Sequence, residues 1–193
     1  LGSGGKAKNL TSEEIGRVSK CLTGTTHELR NRALFYLGLG GGFRIAELVG
    51  LSVIDVKNGK VRDQVVLDGR STKSGKSRTV YLSDQAREHV KRYLDSRGDV
   101  SPEAPLFPSQ KNANKALVAN AGVQLLKRMF LAAGVDQASS HSMRRSHANS
   151  LRRNGVDLKI IKDQLGHSSL AITDAYFQVD PVEAQQAVAG LKF

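Results

Sequence analysis

The chain has 193 residues, enough for one substantial domain or two small ones, and 39% of them are hydrophobic, which is compatible with a packed core. It carries 29 Lys and Arg against 18 Asp and Glu, a net charge of +11, so its surface favours nucleic acid first and an anionic membrane surface second, with a ribosomal or merely basic protein as the bland alternative. Cys21 is its only cysteine, which excludes an intramolecular disulfide and a thiolate metal cluster and favours a reducing, intracellular setting, and no apolar run approaches the roughly 20 residues of a membrane span.

The pattern along the chain predicts a mixed α/β fold, mainly α-helical, with a small antiparallel β-sheet. The predicted helices cover residues 11–22, 27–39, 43–51, 83–97, 115–133, 141–154, 157–165, 169–176 and 181–191. Strands are predicted at Val61–Leu67 and Arg78–Leu82, and the glycine run 40–42 is expected to end the second helix.

Two stretches stand outside this regular pattern. Residues 1–8 are glycine-rich and are expected to be a flexible linker or a cloning remnant, and residues 9–193 are expected to form a single domain. The prolines at 102, 105 and 108 predict a loop between residues 98 and 114.

Several side chains are of the types that phosphodiester cleavage without a metal requires. Such a reaction needs cations for the non-bridging oxygens, a nucleophile in line with the leaving group and an acid for the departing oxygen. Arginine suits the first task, because its planar fork binds phosphate in a bidentate manner and stays charged. The stretches that offer these groups are residues 42–48, 72–78, 141–144 and 165–167, followed by Tyr176.

The local spacing in these stretches predicts how the side chains are placed. Arg44 follows a glycine break at a helix start, where backbone N–H groups also favour a phosphate, and it can pair with Glu47 three residues later. His141 and Arg144 have helical spacing that puts them on one face. Gly166 is expected to end a helix, which lets His167 turn back into a shared pocket.

The order of these motifs resembles that of the tyrosine recombinase, or phage-integrase, family. The resemblance runs from about Asn31 to Tyr176, and each motif is weak alone but specific in combination. The residues that carry it, in chain order, are Arg44, Lys73, His141, Arg144, Leu165-Gly166-His167 and Tyr176.

The resemblance implies roles for these residues. Arg44 and Arg144 would clamp the scissile phosphate, and His141 would hydrogen-bond a non-bridging oxygen. Lys73 would protonate the leaving 5′ oxygen as the general acid, and His167 would assist proton transfer or hold the phosphate.

The nucleophile implied by the resemblance is Tyr176, whose attack would give a 3′-phosphotyrosyl enzyme and a free 5′ hydroxyl. The phosphotyrosine bond would keep the phosphodiester energy, so no ATP, metal or other cofactor is implied, and no HExxH motif or Cys/His ligand set is present. Double-stranded DNA would be the partner, with neither a membrane nor a small-molecule substrate implied. The protein would be bacterial or phage-encoded and would act on intracellular DNA in the cytoplasm.

The resemblance also implies an assembly. Family members work as tetramers on two duplexes, so a homo-tetramer on DNA and a monomer when free are expected. The tail, residues 180–193, would dock on its own or another subunit through an apolar stripe. That stripe comprises Val182, Ala184, Ala187, Val188 and Leu191. The chain resembles an isolated catalytic domain without the family's N-terminal DNA-clamping domain.

Two departures and one choice accompany the resemblance. Arg145 and Gln178 stand where the family often has histidine, at positions that the implied chemistry does not need. Lys76 is an alternative to Lys73 as the general acid, and Lys73 is preferred because it precedes Gly75 with the family's Thr-Lys-Ser-Gly pattern. His147, like the histidines at 27 and 89, is expected to be structural or solvated.

Two other functions remain open. A type IB topoisomerase uses similar chemistry to relax supercoils without exchanging partners. A DNA-binding module on the same fold with a silent active site would carry the same positive charge.

Overall fold

The computed structural model describes residues 7–69 and 75–177, together with residues 185, 188 and 189. The first two ranges contain short strands among helices of up to four turns. The elements in chain order are α1 (Ser12–Leu22), α2 (Glu28–Gly41), α3 (Ile45–Val49), α4 (Val53–Val56), β1 (Lys57–Asn58), β2 (Lys60–Val61), β3 (Gln64–Leu67), β4 (Arg78–Tyr81), α5 (Asp84–Arg97), α6 (Ala119–Ala132), α7 (Ser140–Arg153), α8 (Leu158–Leu165) and α9 (Leu170–Asp174). The expected fold class is confirmed: mainly helical, with small antiparallel sheets.

Side chains at the helix starts explain why most predicted helices begin where expected. Thr11 accepts from the Glu14 N–H, and the Glu14 carboxylate accepts from the Thr11 N–H, which is the predicted capping box. Ser83 caps α5 by accepting from the Ala86 N–H, and Asp157 caps α8 by accepting from the Lys159 N–H. Each cap satisfies backbone donors that the first helical turn leaves unpaired.

The glycine run 40–42 does not end α2 where the sequence predicts. Gly40 and Gly41 are the last two residues of α2, and the chain turns at Gly42 with φ +65°. A Cβ on Gly40 would lie 2.3 Å from Ser83 Oγ, and one on Gly41 would lie 2.3 Å from a ring carbon of Phe43. The first two glycines therefore permit close packing inside the helix, and only the third breaks it.

The two sheets each contain one antiparallel pair. β3 and β4 pair from Gln64 opposite Tyr81 to Leu67 opposite Arg78, which confirms the predicted pair, and their connector at 70–74 lies outside the described residues. The unpredicted β1–β2 hairpin turns at Gly59, whose φ is +70°. Its Asn58-Gly59 dipeptide is a signal for such a hairpin.

The main hydrophobic core surrounds α2, which packs against α5 on one side and α7 on the other. Phe35 lies at its centre, fully buried and edge-on to Phe130 at 6.2 Å between ring centroids. A second, smaller cluster contains Ala148, Ile161 and Leu165. The helices and strands that carry the predicted site residues pack against one or the other of these two clusters.

Two other predictions differ from the structure or fall outside it. α6 begins at Ala119 rather than 115, because the preceding backbone pairs elsewhere: Leu117 N–H donates to Phe107 C=O at 2.8 Å. The tail predicted at 180–193 lies outside the described residues, apart from 185, 188 and 189, which are helical. In the described part of the chain, no helix has both the length and the apolar character to cross a bilayer.

Candidate active site

Arg44 lies at the junction between α2 and α3. Gly42 turns the chain out of α2, and the Arg44 N–H then donates to Glu47 Oε2 at 2.8 Å. The Arg44 guanidinium donates to Glu47 Oε1 at 2.9 Å and to the Gly166 carbonyl at 3.3 Å. The predicted pairing with Glu47 is therefore confirmed, and the guanidinium stays partly exposed, at 26%.

Arg144 extends from α7 into the junction of three helices and is almost fully buried, at 2% exposure. It donates to the Gly42 carbonyl at 2.8 Å and to the Leu165 carbonyl at 2.5 Å. Both carbonyls lie at helix C-termini, which lack intrahelical donors and carry partial negative charge. Burial, followed by repulsion from Arg44, lowers the Arg144 pKa to about 10, so the side chain is a cation at neutral pH.

Arg78 is a member of the site that the sequence alone did not reveal. From β4, it donates to both carboxylate oxygens of Glu47, at 2.9 and 2.7 Å. Burial raises the Glu47 pKa, but hydrogen bonds from Arg78 and Arg44 outweigh it and hold the pKa below its usual value. The alternation of side chains along β4 was a signal for this role. Arg78 lies on the same face of the strand as the buried Val80, and a charged side chain on a buried face needs a partner of opposite charge.

His167 follows the helix end at Gly166, whose φ of +64° confirms the predicted turn. The imidazole is buried, and its Nδ1 lies 2.8 Å from Thr173 Oγ1. Burial first, and then the charges of Arg144 and the other two arginines, lower the His167 pKa to about 4. The ring is therefore neutral at pH 7, with its orientation fixed through Nδ1.

Tyr176 lies just beyond α9, where its N–H donates to the Thr173 carbonyl at 3.0 Å. Its ring is edge-on to His167 at 5.1 Å between centroids and is half-buried against the smaller hydrophobic cluster. The electrostatic interaction of Arg144 with the nearby Tyr176 phenol opposes the fall in the Arg144 pKa. The phenol therefore faces the same guanidinium that the resemblance assigns to phosphate binding.

The other two predicted site residues are placed differently. His141 is exposed in the first turn of α7, one turn before Arg144, and its imidazole makes no hydrogen bond to another described residue. Lys73 lies outside the described residues. Its alternative, Lys76, is exposed and lines a groove of about 1050 Å³ together with Arg44 and His167.

Support behind the site comes from His147 and Gln164. His147 is buried with Nδ1 2.8 Å from the Leu39 carbonyl, so it is structural, and burial lowers its pKa to about 4. Gln164 accepts from the Tyr81 N–H at 3.0 Å and donates to the Tyr81 carbonyl at 2.9 Å, which ties α8 to β4. The sequence did not single out Gln164.

The charges of this arrangement suit an anion. The guanidinium groups of Arg44, Arg78 and Arg144 outnumber the one carboxylate of Glu47, which leaves the site with two net positive charges. Among the described residues, no group of three or more His, Cys, Asp or Glu is placed to hold a metal ion. The site thus offers cations, a neutral imidazole and a phenol around one position.

Known proteins resemble this chain over most of its length. The profile of the phage integrase family matches residues 8–183. The chain is 31% identical over 182 residues to the tyrosine recombinase XerA of Pyrococcus furiosus, covering 94% of this chain and 60% of that protein. It is 33% identical over 181 residues to the tyrosine recombinase XerD of Caulobacter vibrioides, covering 89% and 57%. The chain thus spans about three fifths of the length of these relatives.

Solved structures share the fold. A crystal structure of XerA recombinase superposes with a TM-score of 0.77 at 21% identity, covering all of this chain and 67% of that one. XerH recombinase bound to a palindromic difH substrate gives 0.75 at 25% identity, covering 97% and 54%. The Tn1549 transposon integrase, in complex with circular intermediate DNA, gives 0.76 at 18% identity, covering 98% and 68%. With most of its length matched by one family's profile and by that fold, the chain belongs to the phage integrase family.

Proposed function

We propose that this chain is the catalytic domain of a site-specific tyrosine recombinase, which cleaves and rejoins DNA strands through a 3′-phosphotyrosyl bond to Tyr176. One observation carries the proposal: Arg44, Arg144, His167 and Tyr176, which are spread over three parts of the sequence, meet at one position. Two arginines beside a phenol provide the cations and the nucleophile that cleavage of a phosphodiester by a tyrosine requires.

The proposed reaction starts with attack of the Tyr176 phenol oxygen on the scissile phosphorus. The bond from phosphorus to the 5′ oxygen breaks, and the departing oxygen takes a proton and becomes a free 5′ hydroxyl. The 5′ hydroxyl of a second strand then attacks the phosphotyrosine, which restores the phosphodiester and the tyrosine. Energy is conserved in the covalent intermediate, so the cycle needs no ATP.

The positive charges provide the electrostatic part of catalysis. Arg44 and Arg144 would bind the non-bridging oxygens, where charge increases in the transition state. Arg144 is preorganised for this, because two backbone carbonyls fix its guanidinium before DNA arrives. Its burial also places the charge in a low-dielectric environment, where it acts more strongly than it would in water.

The remaining roles concern protons. Lys73 is proposed as the general acid at the 5′ oxygen, and His141 as a donor to a non-bridging oxygen once DNA is bound. His167, neutral and fixed by Thr173, is proposed to assist proton transfer at Tyr176 or to hold the phosphate. Its edge-on contact with the tyrosine ring supports that assignment.

DNA is the proposed partner, inside the cell and in a homo-tetramer that forms on the substrate. The net charge of +11 supports binding to a polyanion. The XerH and Tn1549 structures contain DNA, which supports the same partner for this chain. Light scattering should give a monomer for the free protein and four copies on DNA that carries paired sites.

The test is covalent trapping on nicked suicide DNA from a pool of candidate sites. An adduct on a denaturing gel that disappears in Tyr176→Phe supports the proposal. Tyr81→Phe is the matched control, because Tyr81 is exposed, lines the groove and should leave the adduct intact. An adduct that persists in Tyr176→Phe would move the nucleophile elsewhere, and binding without any adduct would favour a silent DNA-binding module.

The same preparation distinguishes the topoisomerase alternative. A supercoiled plasmid without a recombination site is incubated with the protein, and its topoisomers are resolved. Relaxation without a preferred cleavage sequence would favour a type IB topoisomerase, whereas adducts confined to one sequence favour the recombinase.

A further inference from the structure

We propose that Arg78 is a positioning residue of the cleavage site, which acts through Glu47 to keep Arg44 available as a cation for the scissile phosphate. This inference rests on the proposed function, since it assigns a second arginine to the same reaction.

The contacts show one carboxylate shared by two arginines. Glu47 Oε1 accepts from Arg44 Nη1 and Arg78 Nη1, both at 2.9 Å. Glu47 Oε2 accepts from the Arg44 backbone N–H at 2.8 Å and from Arg78 Nη2 at 2.7 Å. The Arg78 pairing is bidentate, a geometry that an arginine fork provides and a lysine ammonium does not.

Burial separates the roles of the two arginines. The side chain of Glu47 is 2% exposed and that of Arg78 is 8% exposed, whereas Arg44 is 26% exposed. The third type of donor on Arg78, its Nε, points to the Gln164 carbonyl at 3.4 Å. Arg78 therefore directs its donors into the protein, and Arg44 is the member of the trio that a bound phosphate can reach.

The charge balance explains why a second arginine is needed. Glu47 and Arg44 alone would form a neutral pair, and a neutral pair attracts a phosphate weakly. Arg78 adds a second positive charge to the same carboxylate, so the trio keeps one net positive charge. In a buried setting this difference matters more than it would in water, because the effective dielectric is lower.

Arg78 also supports the backbone that holds Arg44 and His167. A Cβ on Gly166 would lie 2.6 Å from Arg78 Cδ, so the C-terminal end of α8 packs directly against the Arg78 side chain. The Gly166 carbonyl in turn accepts from Arg44 Nη2 at 3.3 Å. A shift of Arg78 would therefore move Gly166, which is both an acceptor for Arg44 and the residue before His167.

The experiment measures single-turnover adduct formation on the suicide DNA at saturating protein. Arg78→Met should slow adduct formation on the order of ten- to a hundred-fold, the size expected when a catalytic group is displaced slightly. Arg78→Lys, which keeps the charge but not the bidentate fork, should be intermediate. The matched control is Arg92→Met, which removes an arginine from an exposed pair on α5 and should leave the rate unchanged.

The decisive readout is the double variant Glu47→Gln with Arg78→Met. If Arg78 acts by balancing the carboxylate, removing both charges should give adduct formation at least as fast as Arg78→Met alone. A purely packing role for Arg78 predicts a double variant slower than either single variant, and that result would overturn the proposal. Circular dichroism checks that each variant is folded. If Arg78→Met does not fold, Arg78→Lys takes its place in the comparison with the double variant.

The two proposals fail in different ways. A wild-type adduct that depends on Tyr176, together with an undiminished rate in Arg78→Met, would sink this inference alone. Absence of any adduct that depends on Tyr176 in the wild type would overturn the proposed function, and this inference with it.

Discussion

Arg144 and Tyr176 face the same position but are attached to different parts of the hydrophobic interior. Arg144 follows Met143, which is fully buried in the main core around α2. Tyr176 packs against the smaller cluster of Ala148, Ile161 and Leu165. We call residues 42–47, 78 and 144 the arginine region and residues 166–177 the tyrosine segment. The arginine region packs against the main core, which contains most of the buried apolar side chains, whereas the tyrosine segment packs against the smaller cluster.

The difference bears on how each half of the site is preorganised. Guanidinium groups in the arginine region are fixed by backbone carbonyls at the C-terminal ends of α2 and α8 and by the carboxylate of Glu47 on α3. The tyrosine segment is held by the turn at Gly166, the contact between Thr173 and His167, and a few apolar neighbours. Segments with few buried contacts open at a lower free energy than the core. We expect the phosphate-binding half to be rigid and the tyrosine half to adjust when DNA binds.

The strongest test of this comparison is Arg144→Met. It leaves the Gly42 and Leu165 carbonyls without their buried donors, so the free energy of unfolding should fall by about 2–4 kcal/mol. Adduct formation should fall at least about a hundred-fold, as when a transition-state donor is removed. Urea denaturation and single-turnover trapping measure the two effects. Arg145→Met, the neighbouring arginine bonded to the Ala7 carbonyl, is the control and should change both much less.

The junction between the two halves is tested by Gly166→Ala. The substitution forces a side chain into φ +64° and against Arg78 at 2.6 Å, so it should cost about 2–3 kcal/mol of unfolding free energy. Gly155→Ala is the control, with φ +75° and open space around the new Cβ, and should cost about 1 kcal/mol. Equal losses by thermal denaturation would show that the contact with Arg78 is unimportant.

A pH titration compares His147, which lies behind the arginine region, with His167 of the tyrosine segment. Folding lowers the pKa of His147 and of His167 from 6.5 to about 4. Below pH 6.5 the unfolded chain therefore takes up protons that the folded chain takes up only near pH 4. The contribution of each histidine to the free energy of unfolding is thus fully present above pH 6.5 and is lost as the pH falls. Each histidine should cost about 1 kcal/mol of unfolding free energy between pH 7 and pH 5.5.

Single substitutions separate the two contributions. His147→Gln and His167→Gln should each remove about 1 kcal/mol of the pH-dependent loss, as measured by urea denaturation at the two pH values. An unchanged pH dependence in His167→Gln would show that His167 is open to solvent, and hence that the tyrosine segment is looser than the comparison assumes.

The smallest effect is expected from Thr173→Val. It removes the hydroxyl partner of His167 Nδ1, so it should cost about 0.5–1.5 kcal/mol of stability and slow adduct formation several-fold. Thr173→Ser retains the hydroxyl and should retain the rate. A rate in Thr173→Val equal to that of the wild type would mean that the orientation of His167 is set by packing alone.

Local chemistry made much of the fold predictable. The capping box at Thr11, the strands β3 and β4 and the turn at Gly166 depend on residues within a few positions of one another, and each was predicted close to its observed place. The pairing of Arg44 with Glu47 is equally local, at three residues' separation. The glycines of α2 were misjudged, because their role depends on Ser83 and Phe43, which approach from outside the helix.

The sequence by itself determined the class of fold, the helical and strand segments and the ordered motifs that place the chain in its family. Only the tertiary structure showed three hydrogen-bonded contacts: Arg78 with Glu47, Gln164 of α8 with Tyr81 of β4, and Thr173 with His167. The first two contacts join residues 31 and 83 positions apart, and no periodicity or propensity links such residues. Their physical reason is burial: a charge or amide enclosed in the interior needs a partner, and packing decides which one is near.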